Sequence, residues 1–298
     1  MEELTLVKEQ IKTYVIECED EKSLYLLDKL ATGKMLRSKL ILKIAGVSEA
    51  SIRLCAVVEM IHASSLLHDD VIDDATTRRG QASVNALFDN KTAIMFGDVL
   101  YSKAFAELSL MPKEISHLVA TAVTKLSIGE MLDVDLTQEF NTSYDKYLDM
   151  IYKKTASLIE ASAQAAAILS DKDEKIYATY GKNLGLAFQM IDDILDITQD
   201  SKTLGKPAMH DFEEGKVTIP YLLLHRRLEN KEALVSLYKK PLDEKDITWI
   251  KNKMIDTKAL EDSILMAKKL GNEAIEALKD ENSRDLVLIM KAMIEREF

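Results

Sequence analysis

Glycine and proline are scarce in this chain of 298 residues, which has ten glycines and four prolines, about 5% together against a usual level of roughly 12%. Turns are therefore few, and the secondary-structure elements must be long. A β-sandwich or barrel needs a turn signal about every 8–12 residues, so those folds are excluded. The chain has two cysteines, Cys18 and Cys55, without metal-ligand spacing, which predicts a reduced, cytoplasmic protein.

Positive charge is also in deficit. Thirty-nine basic residues stand against 50 acidic ones, and the net charge of −11 disfavours nucleic acid as a partner. No run without Asp, Glu, Lys or Arg exceeds ten residues, which predicts no membrane-spanning helix. The first residues show neither a basic nor an apolar segment, so we expect no secretory signal. Hydrophobic residues make up 47% of the chain, which excludes a disordered protein.

Apolar residues recur at helical spacing through most of the chain. The pattern predicts helices over 54–68, 90–110, 115–136, 146–169 and 173–199, and a looser, more charged helical group over 217–298. Residues that interrupt helices are concentrated in 74–80 and 201–215, and no linker sequence divides the chain. We therefore predict a single all-α domain over 1–298.

The motif Asp-Asp-x-x-Asp occurs twice, at 69–73 and at 192–196, about 120 residues apart. On a helix, the first and last aspartates of each motif point the same way, and such carboxylates repel one another unless cations lie between them. A solvated helix face is the alternative, but each motif ends a strongly apolar helix. Carboxylates at this density suit Mg²⁺, which takes one or two of them together with phosphate and water oxygens. The two motifs therefore predict a phosphate-bearing substrate.

Basic residues lie close to both motifs in sequence. Each taken alone could face solvent, but their shared placement beside the acidic motifs predicts a site for a polyanion. The first two open a predicted helix, where free N–H groups also favour an anion. The basic residues are Lys34, Arg37, Arg78, Arg79, Lys154, Lys206 and Lys216. His62 lies seven residues before Asp69 on the same helix face, where a packed core histidine is the commoner alternative.

Taken together these residues resemble the trans-isoprenyl diphosphate synthase family, also called polyprenyl synthetases. The match runs in order and in spacing from about residue 33 to 220, and residues 221–298 carry no motif. One departure is Ser38, where the family commonly has proline. The matching strings are Gly33-Lys34-Met35-Leu36-Arg37, Ile61-His62, Leu67 to Asp73, Arg78-Arg79-Gly80, Gly97-Asp98, Lys154-Thr155, Phe188 to Asp196, Gly205-Lys206-Pro207 and Gly215-Lys216.

The resemblance implies a helical bundle around a deep central cavity, usually in a homodimer. It implies an enzyme that condenses isopentenyl diphosphate with an allylic diphosphate, in the E configuration, using Mg²⁺. In the metal site, Asp69, Asp73 and Asp192 would bind three Mg²⁺ ions, supported by Asp70, Asp193 and Asp196. The allylic diphosphate would be held by Arg78, Lys154, Thr155, Gln189, Lys206 and Lys216. The isopentenyl diphosphate would be held by Lys34, Arg37, His62 and Arg79. Besides the six aspartates, Lys154 and Lys206 are the expected catalytic residues.

The product length is predicted from the helix that carries Asp69. Ser65 and Ser64 lie four and five residues before it, some 6–8 Å deeper along the helix, where family members with farnesyl-length products tend to carry a bulky aromatic residue. Two serines leave the path open and predict a long-chain product of about 30–40 carbons, of the octaprenyl type used for quinone side chains. Ordinary helix packing is the alternative reading of both serines.

Three other functions are compatible with parts of the pattern. A geranylgeranyl or farnesyl diphosphate synthase differs only in product length. A class I terpene cyclase shares the first motif, but its second motif usually mixes Asn, Ser and Glu, and it needs no isopentenyl diphosphate site. A non-catalytic subunit typically lacks one or both acidic motifs, and here both are intact.

Overall fold

The computed structural model describes residues 2–31, 33–199 and 209–295. The described chain is almost entirely helical, as predicted. Its helices are α1 (Glu2–Ile16), α2 (Glu21–Leu27), α3 (Leu36–Ala45), α4 (Glu49–Ile72), α5 (Val84–Leu87), α6 (Asn90–Leu108), α7 (Lys113–Leu136), α8 (Tyr144–Ile151), a π-helix (Tyr152–Ala156), α9 (Ser157–Leu169), α10 (Glu174–Thr198), α11 (His210–Glu213), α12 (Ile219–Arg227), α13 (Lys231–Val235), α14 (Glu244–Asp256), α15 (Ala259–Ala277) and α16 (Arg284–Ile294). The chain divides into two compact units, one formed by 1–123 with 161–178 and the other by 124–160 with 179–298.

Polar caps set several helix starts. Ser48 caps α4 in a reciprocal capping box with Ser51, and Asp243 forms the same box with Asp246 at α14. Gly46 follows α3 with a φ of +74°, a conformation that glycine adopts without strain. These local signals place the helices independently of tertiary packing.

In the first unit, α4 packs against α1, α3 and α6. The apolar stripe predicted from the sequence is its buried face, because Leu54, Val57, Val58 and Ile61 are fully buried. The helix continues past residue 68 to Ile72, so Asp69 and Asp70 lie within its last turns and Asp73 is its C-cap. The apolar pattern therefore ends about one turn before the helix does, and the acidic motif lies at the helix end, as predicted.

A two-stranded hairpin, β1 (Thr77–Arg78) with β2 (Gln81–Ala82), follows α4. Both turn residues, Arg79 and Gly80, have positive φ, which is the geometry of the tight turn that suits the twist of a hairpin. The sequence marked this region only as non-helical. The hairpin directs the side chains of two adjacent arginines differently, which matters for the site.

In the second unit, α7, the π-helix and α10 approach one another closely. A Cβ at Gly129 of α7 would lie 2.2 Å from the backbone nitrogen of Lys154, and a Cβ at Gly185 of α10 would lie 2.5 Å from the Cα of Ala156. The π-helix therefore packs closely against α7 at Gly129 and against α10 at Gly185, where the absence of a side chain permits the approach. The continuous helix predicted over 146–169 contains this π segment, in which the hydrogen bonds span five residues.

One described helix, Glu49–Ile72, is long and apolar enough to cross a membrane by length and composition. Of its most apolar 18-residue window, 67% is buried inside the structure, as in the core helices of soluble proteins, so the finding is weak evidence for a span. The prediction of no membrane-spanning helix stays a prediction. The single-domain prediction does too, because a division into compact units does not separate two domains from two halves of one.

Candidate functional site

The first aspartate motif contains carboxylates in two different environments. Asp70 is buried, and its Oδ1 accepts a hydrogen bond from Nε of Arg78 at 2.6 Å and forms an ion pair with Nη2 at 2.5 Å. Asp69 is half-buried and Asp73 is exposed. Asp70 therefore holds a guanidinium, while the side chains of Asp69 and Asp73 are the more accessible to solvent.

The second motif, on α10, also contains exposed and buried carboxyl groups, but here the last aspartate is buried. Asp192 is exposed, whereas Asp193 and Asp196 are buried. Asp193 accepts hydrogen bonds from Tyr147 Oη at 2.6 Å and from Gln189 Nε2 at 2.9 Å. Burial, and then the negative charge of Asp211, raise the pKa of Asp193 to about 8.

The donor chemistry of both motifs fits Mg²⁺, which prefers carboxylate oxygen. Among residues 2–31, 33–199 and 209–295, no group of three or more His, Cys, Asp or Glu side chains is arranged to hold a metal ion. A cation at either motif therefore needs further oxygens, and water or a phosphate group can supply them. This is the coordination that Mg²⁺ commonly adopts with phosphate ligands.

Three arginines and a histidine gather in the first unit. The guanidinium of Arg79 lies over Gly33, where a Cβ would come within 2.5 Å of it, and its Nη1 donates to Ala31 O at 2.9 Å. Burial, and then the positive charges of Arg37, Arg79 and Arg78, hold the pKa of His62 well below its ordinary value, so this imidazole is neutral. The predicted isopentenyl diphosphate residues Arg37, His62 and Arg79 thus lie in one electropositive cluster.

Within the part of the chain that the structure describes, Arg37 has a buried, unpaired nitrogen in this cluster. Burial lowers its pKa to about 10, and its Nε is buried without a hydrogen-bond partner among the described residues. An unpaired guanidinium nitrogen in the interior is costly unless an anion completes it. Lys34 is exposed and precedes α3, which begins at Leu36, so the prediction that Lys34 opens this helix together with Arg37 was wrong. Met35, in the left-handed conformation with a φ of +49°, separates Lys34 from the helix.

The hydrogen bonds of Ser38 explain why this chain has serine where the family commonly has proline. Its N–H and its hydroxyl both donate to Oε1 of Glu59 on α4, at 3.1 and 2.7 Å. The Ser38 N–H is one of the first-turn donors that a helix leaves unpaired, and proline could not make this bond. Glu59 also places a negative charge beside Arg37 and Arg79.

The π-helix carries two of the predicted residues. Lys154 forms ion pairs with Asp133 at 2.5 Å and Glu130 at 2.9 Å, both on α7. Thr155 Oγ1 donates to Gln189 Oε1 at 2.8 Å, which joins the π-helix to α10. π segments inside α-helices are frequent at functional sites.

The remaining predicted lysines follow the second motif. Lys216 is half-buried and forms an ion pair with Glu214 at 2.9 Å. Lys206 lies outside the described residues, so its role stays a prediction.

The two serines proposed for chain length lie on different sides of α4. Ser64 is fully buried, and its hydroxyl donates to Gly97 O on α6 at 2.7 Å. Ser65 is 5% exposed, and its hydroxyl donates to His62 O in its own helix at 2.9 Å. Ser64 thus takes part in the packing of α4 on α6. The chain-length role of both serines stays a prediction.

Sequence reasoning missed three polar residues that contact the predicted ones, Glu130, Asp133 and Tyr147, and a fourth, Glu59, whose charge lies beside Arg37 and Arg79. Two acids three residues apart in the apolar stretch 115–136 were a usable signal for Glu130 and Asp133. Nothing in the sequence distinguishes Tyr147 from an ordinary core aromatic residue.

Comparisons with known proteins extend over nearly the whole chain. The sequence profile described as polyprenyl synthetase matches residues 21–254. The crystal structure of octaprenyl pyrophosphate synthase from Helicobacter pylori is 44% identical, covers 99% of both chains and has a TM-score of 0.94. A short chain isoprenyl diphosphate synthase from Methanothermobacter thermautotrophicus is 33% identical over 98% of this chain and 96% of its own length.

Solanesyl-diphosphate synthase 1, mitochondrial, from Oryza sativa subsp. japonica is 37% identical over 81% of this chain. The chain spans only 57% of the length of that relative. The chain is similar to each of these proteins.

Proposed function

Because the chain belongs to the polyprenyl synthetase family, we propose that it is a prenyltransferase that condenses isopentenyl diphosphate with an allylic diphosphate and forms a long-chain all-E polyprenyl diphosphate. The observation that carries the proposal is the electropositive cluster of Arg37, Arg79 and neutral His62, which suits a second anion. A terpene cyclase has no use for this second anion site.

The long product is favoured over a short one by the degree of similarity. Identity to the octaprenyl pyrophosphate synthase is 44%, against 33% to the short chain synthase, and both comparisons cover nearly the whole chain. We propose that the product serves as a quinone side chain. A geranylgeranyl or farnesyl diphosphate synthase is the second candidate, favoured by the full-length match to the short chain relative.

The residues of this chain suit the chemistry of allylic transfer. Mg²⁺, in three ions held by Asp69, Asp73 and Asp192, would supply positive charge to the diphosphate as it leaves the allylic carbon. Arg78, Lys154 and Lys216 would bind that diphosphate and stabilise its growing negative charge. Asp70 would orient Arg78, since it already holds the guanidinium. Among the described residues no side chain is an obvious base for the final proton, so the released diphosphate would accept it.

The isopentenyl diphosphate would bind at the Arg37 cluster together with Lys34. A neutral His62 donates one hydrogen bond without adding to the repulsion among the arginines. Apolar side chains of α4 would surround the allylic cation with groups that cannot attack it.

The direct test is a product assay with farnesyl diphosphate, isopentenyl diphosphate and Mg²⁺, analysed by mass spectrometry. We expect a ladder that ends at a long-chain polyprenyl diphosphate, and loss of activity with EDTA. A cyclised hydrocarbon made without isopentenyl diphosphate would identify a terpene cyclase, and a product that stops at farnesyl or geranylgeranyl length would identify the second candidate. No turnover of either substrate would refute the proposal.

The split between the two diphosphate sites has its own test. Lys34→Ala and Arg37→Ala should each raise the KM for isopentenyl diphosphate roughly 10-fold or more, with little change in the KM for the allylic substrate. Lys39→Ala, another exposed lysine at the start of α3, is the matched control and should leave both constants unchanged. Equal increases for both substrates would contradict the assignment.

A homodimer in the cytoplasm completes the proposal. The family resemblance supports the dimer, and the cysteine usage supports a reducing compartment. Gel filtration with light scattering should give twice the mass of 33.5 kDa for the dimer, and a single-chain mass would exclude it.

A further inference from the structure

Tyr147 lies where three elements of the second unit meet. Its side chain is 1% exposed and among the largest fully buried ones. Its hydroxyl donates to Asp193 Oδ2 on α10 at 2.6 Å. The backbone of Ile219, the first residue of α12, lies close enough to the Tyr147 oxygen to affect its pKa. The phenol therefore joins α8 to α10 beside the start of α12.

The bond to Asp193 belongs to a longer chain of hydrogen bonds. Gln189 Nε2 donates to the other carboxylate oxygen of Asp193 at 2.9 Å, and Thr155 Oγ1 donates to Gln189 Oε1 at 2.8 Å. Tyr147 and Thr155 lie eight residues apart on one helical stretch, and Gln189 and Asp193 lie four residues apart on α10. Two cross-links between the same pair of helices fix both their register and the direction of each side chain.

We propose that Tyr147 is a positioning residue of the active site, which holds the carboxyl group of Asp193, and through it Gln189 and Thr155, in the arrangement that binds the magnesium–diphosphate group. This inference rests on the proposed function, because the family resemblance assigns Gln189, Thr155 and the neighbouring Asp192 to the binding of that group. Tyr147 itself contacts neither substrate nor metal in this proposal.

A purely structural role for Tyr147 does not explain why its hydroxyl donates to a buried acid. The matched case is Tyr180, also fully buried in the second unit, whose hydroxyl donates to the backbone oxygen of Leu286 at 2.8 Å. A backbone carbonyl satisfies a buried phenol without placing a carboxyl group in the interior, where an ionisable group is costly. Tyr147 instead holds a buried acid one residue from a predicted metal ligand. Partners of this kind, one step removed from the metal, typically change metal affinity or activity 10- to 100-fold when removed.

The test compares Tyr147→Phe with Tyr180→Phe. Both variants lose one buried hydroxyl and keep the ring, so their losses of stability should be similar. The readout is binding of inorganic pyrophosphate by calorimetry at increasing Mg²⁺ concentration, which needs no turnover. We expect Tyr147→Phe to need roughly 10-fold more Mg²⁺ for half-maximal binding, and Tyr180→Phe to match the wild type. A Mg²⁺ requirement for Tyr147→Phe within twofold of the wild type would overturn the proposal.

A double-mutant cycle shows whether Tyr147 acts through Asp193. In the Asp193→Asn background, Tyr147→Phe should add little further change in the Mg²⁺ requirement, because the carboxylate that it orients is gone. Full additivity would overturn the proposed route. If Tyr147→Phe does not fold, Asp193→Asn alone carries the test, with the same expected increase and with unchanged binding as the refuting result.

The outcome is separable from that of the proposed function. Failure of the wild type to make any prenyl product would refute the function, whereas the pyrophosphate measurement would still report on Tyr147. Normal wild-type turnover with an unchanged Tyr147→Phe would refute only the inference.

Discussion

Gly129→Ala is the substitution for which the structure gives the sharpest expectation. In the interior of a helix this change normally stabilises a protein by about 0.5–1 kcal/mol, since glycine loses more conformational freedom on folding. At Gly129 the added Cβ would lie 2.2 Å from the backbone nitrogen of Lys154, whereas carbon atoms at their optimal separation lie about 3.5–4.0 Å apart. The π-helix must therefore move by more than about 1 Å.

The contact outweighs the gain in propensity, because a backbone atom cannot rotate away as a side chain can. Overpacking of a close-packed interior costs about 1–3 kcal/mol, which the propensity gain offsets only in part, so we expect net destabilisation of about 1–2 kcal/mol and a fall in melting temperature of roughly 2–5 °C. The same movement displaces Lys154 from Asp133 and Glu130, so kcat should fall as well.

The assay is thermal unfolding followed by circular dichroism, together with steady-state prenyl transfer. Gly271→Ala in α15 is the matched control, because its new Cβ would meet side-chain atoms of Ile294 and Met290, which can move. We expect a smaller loss of stability there and unchanged kcat. If Gly129→Ala melts at or above the wild-type temperature, the close approach of α7 to the π-helix is not a property of the folded protein.

Two further predictions concern acidity and product length. The pKa of about 8 at Asp193 lies above the value of the unfolded chain, so its contribution to stability is present at low pH and lost as the pH rises through about 8. The Asp193→Asn variant has no ionisable group at this position. In EDTA, its melting temperature relative to that of the wild type should therefore rise between about pH 5 and pH 8. A difference in melting temperature that does not change with pH would contradict the raised pKa. Ser65→Phe should shorten the polyprenyl product seen by mass spectrometry, and an unchanged product length would refute the role of Ser65. Ser64→Phe should instead destabilise the protein, because Ser64 is fully buried against Gly97 O, and a variant that melts like the wild type would contradict that packing.

Much of the fold follows from local signals in the sequence. The helices predicted over 90–110, 115–136 and 173–199 are found at Asn90–Leu108, Lys113–Leu136 and Glu174–Thr198, because apolar spacing and helix caps act over a few residues. The π-helix at Tyr152–Ala156 was not predicted. Its hydrogen-bond pattern depends on how closely Gly129 and Gly185 let neighbouring helices approach, and periodicity does not carry that information.

The candidate site divides in the same way. The Asp-Asp-x-x-Asp motifs and the arginines were recognisable as residue types at a spacing. Their partners were not, because the ion pair of Arg78 with Asp70 depends on the hairpin turn at Arg79 and Gly80. The N–H of Ser38 likewise found its acceptor on another helix, at Glu59.

The sequence by itself determined the helical class, the family and the kinds of ligand atoms available, since these follow from composition, periodicity and motif. Only the tertiary structure decided which aspartate of each motif is buried and which is exposed, that His62 is neutral, and that Tyr147 holds Asp193. The physical reason is that burial and hydrogen bonding depend on which distant segments pack together. The spacing of residues along the chain does not specify these long-range contacts for individual side chains.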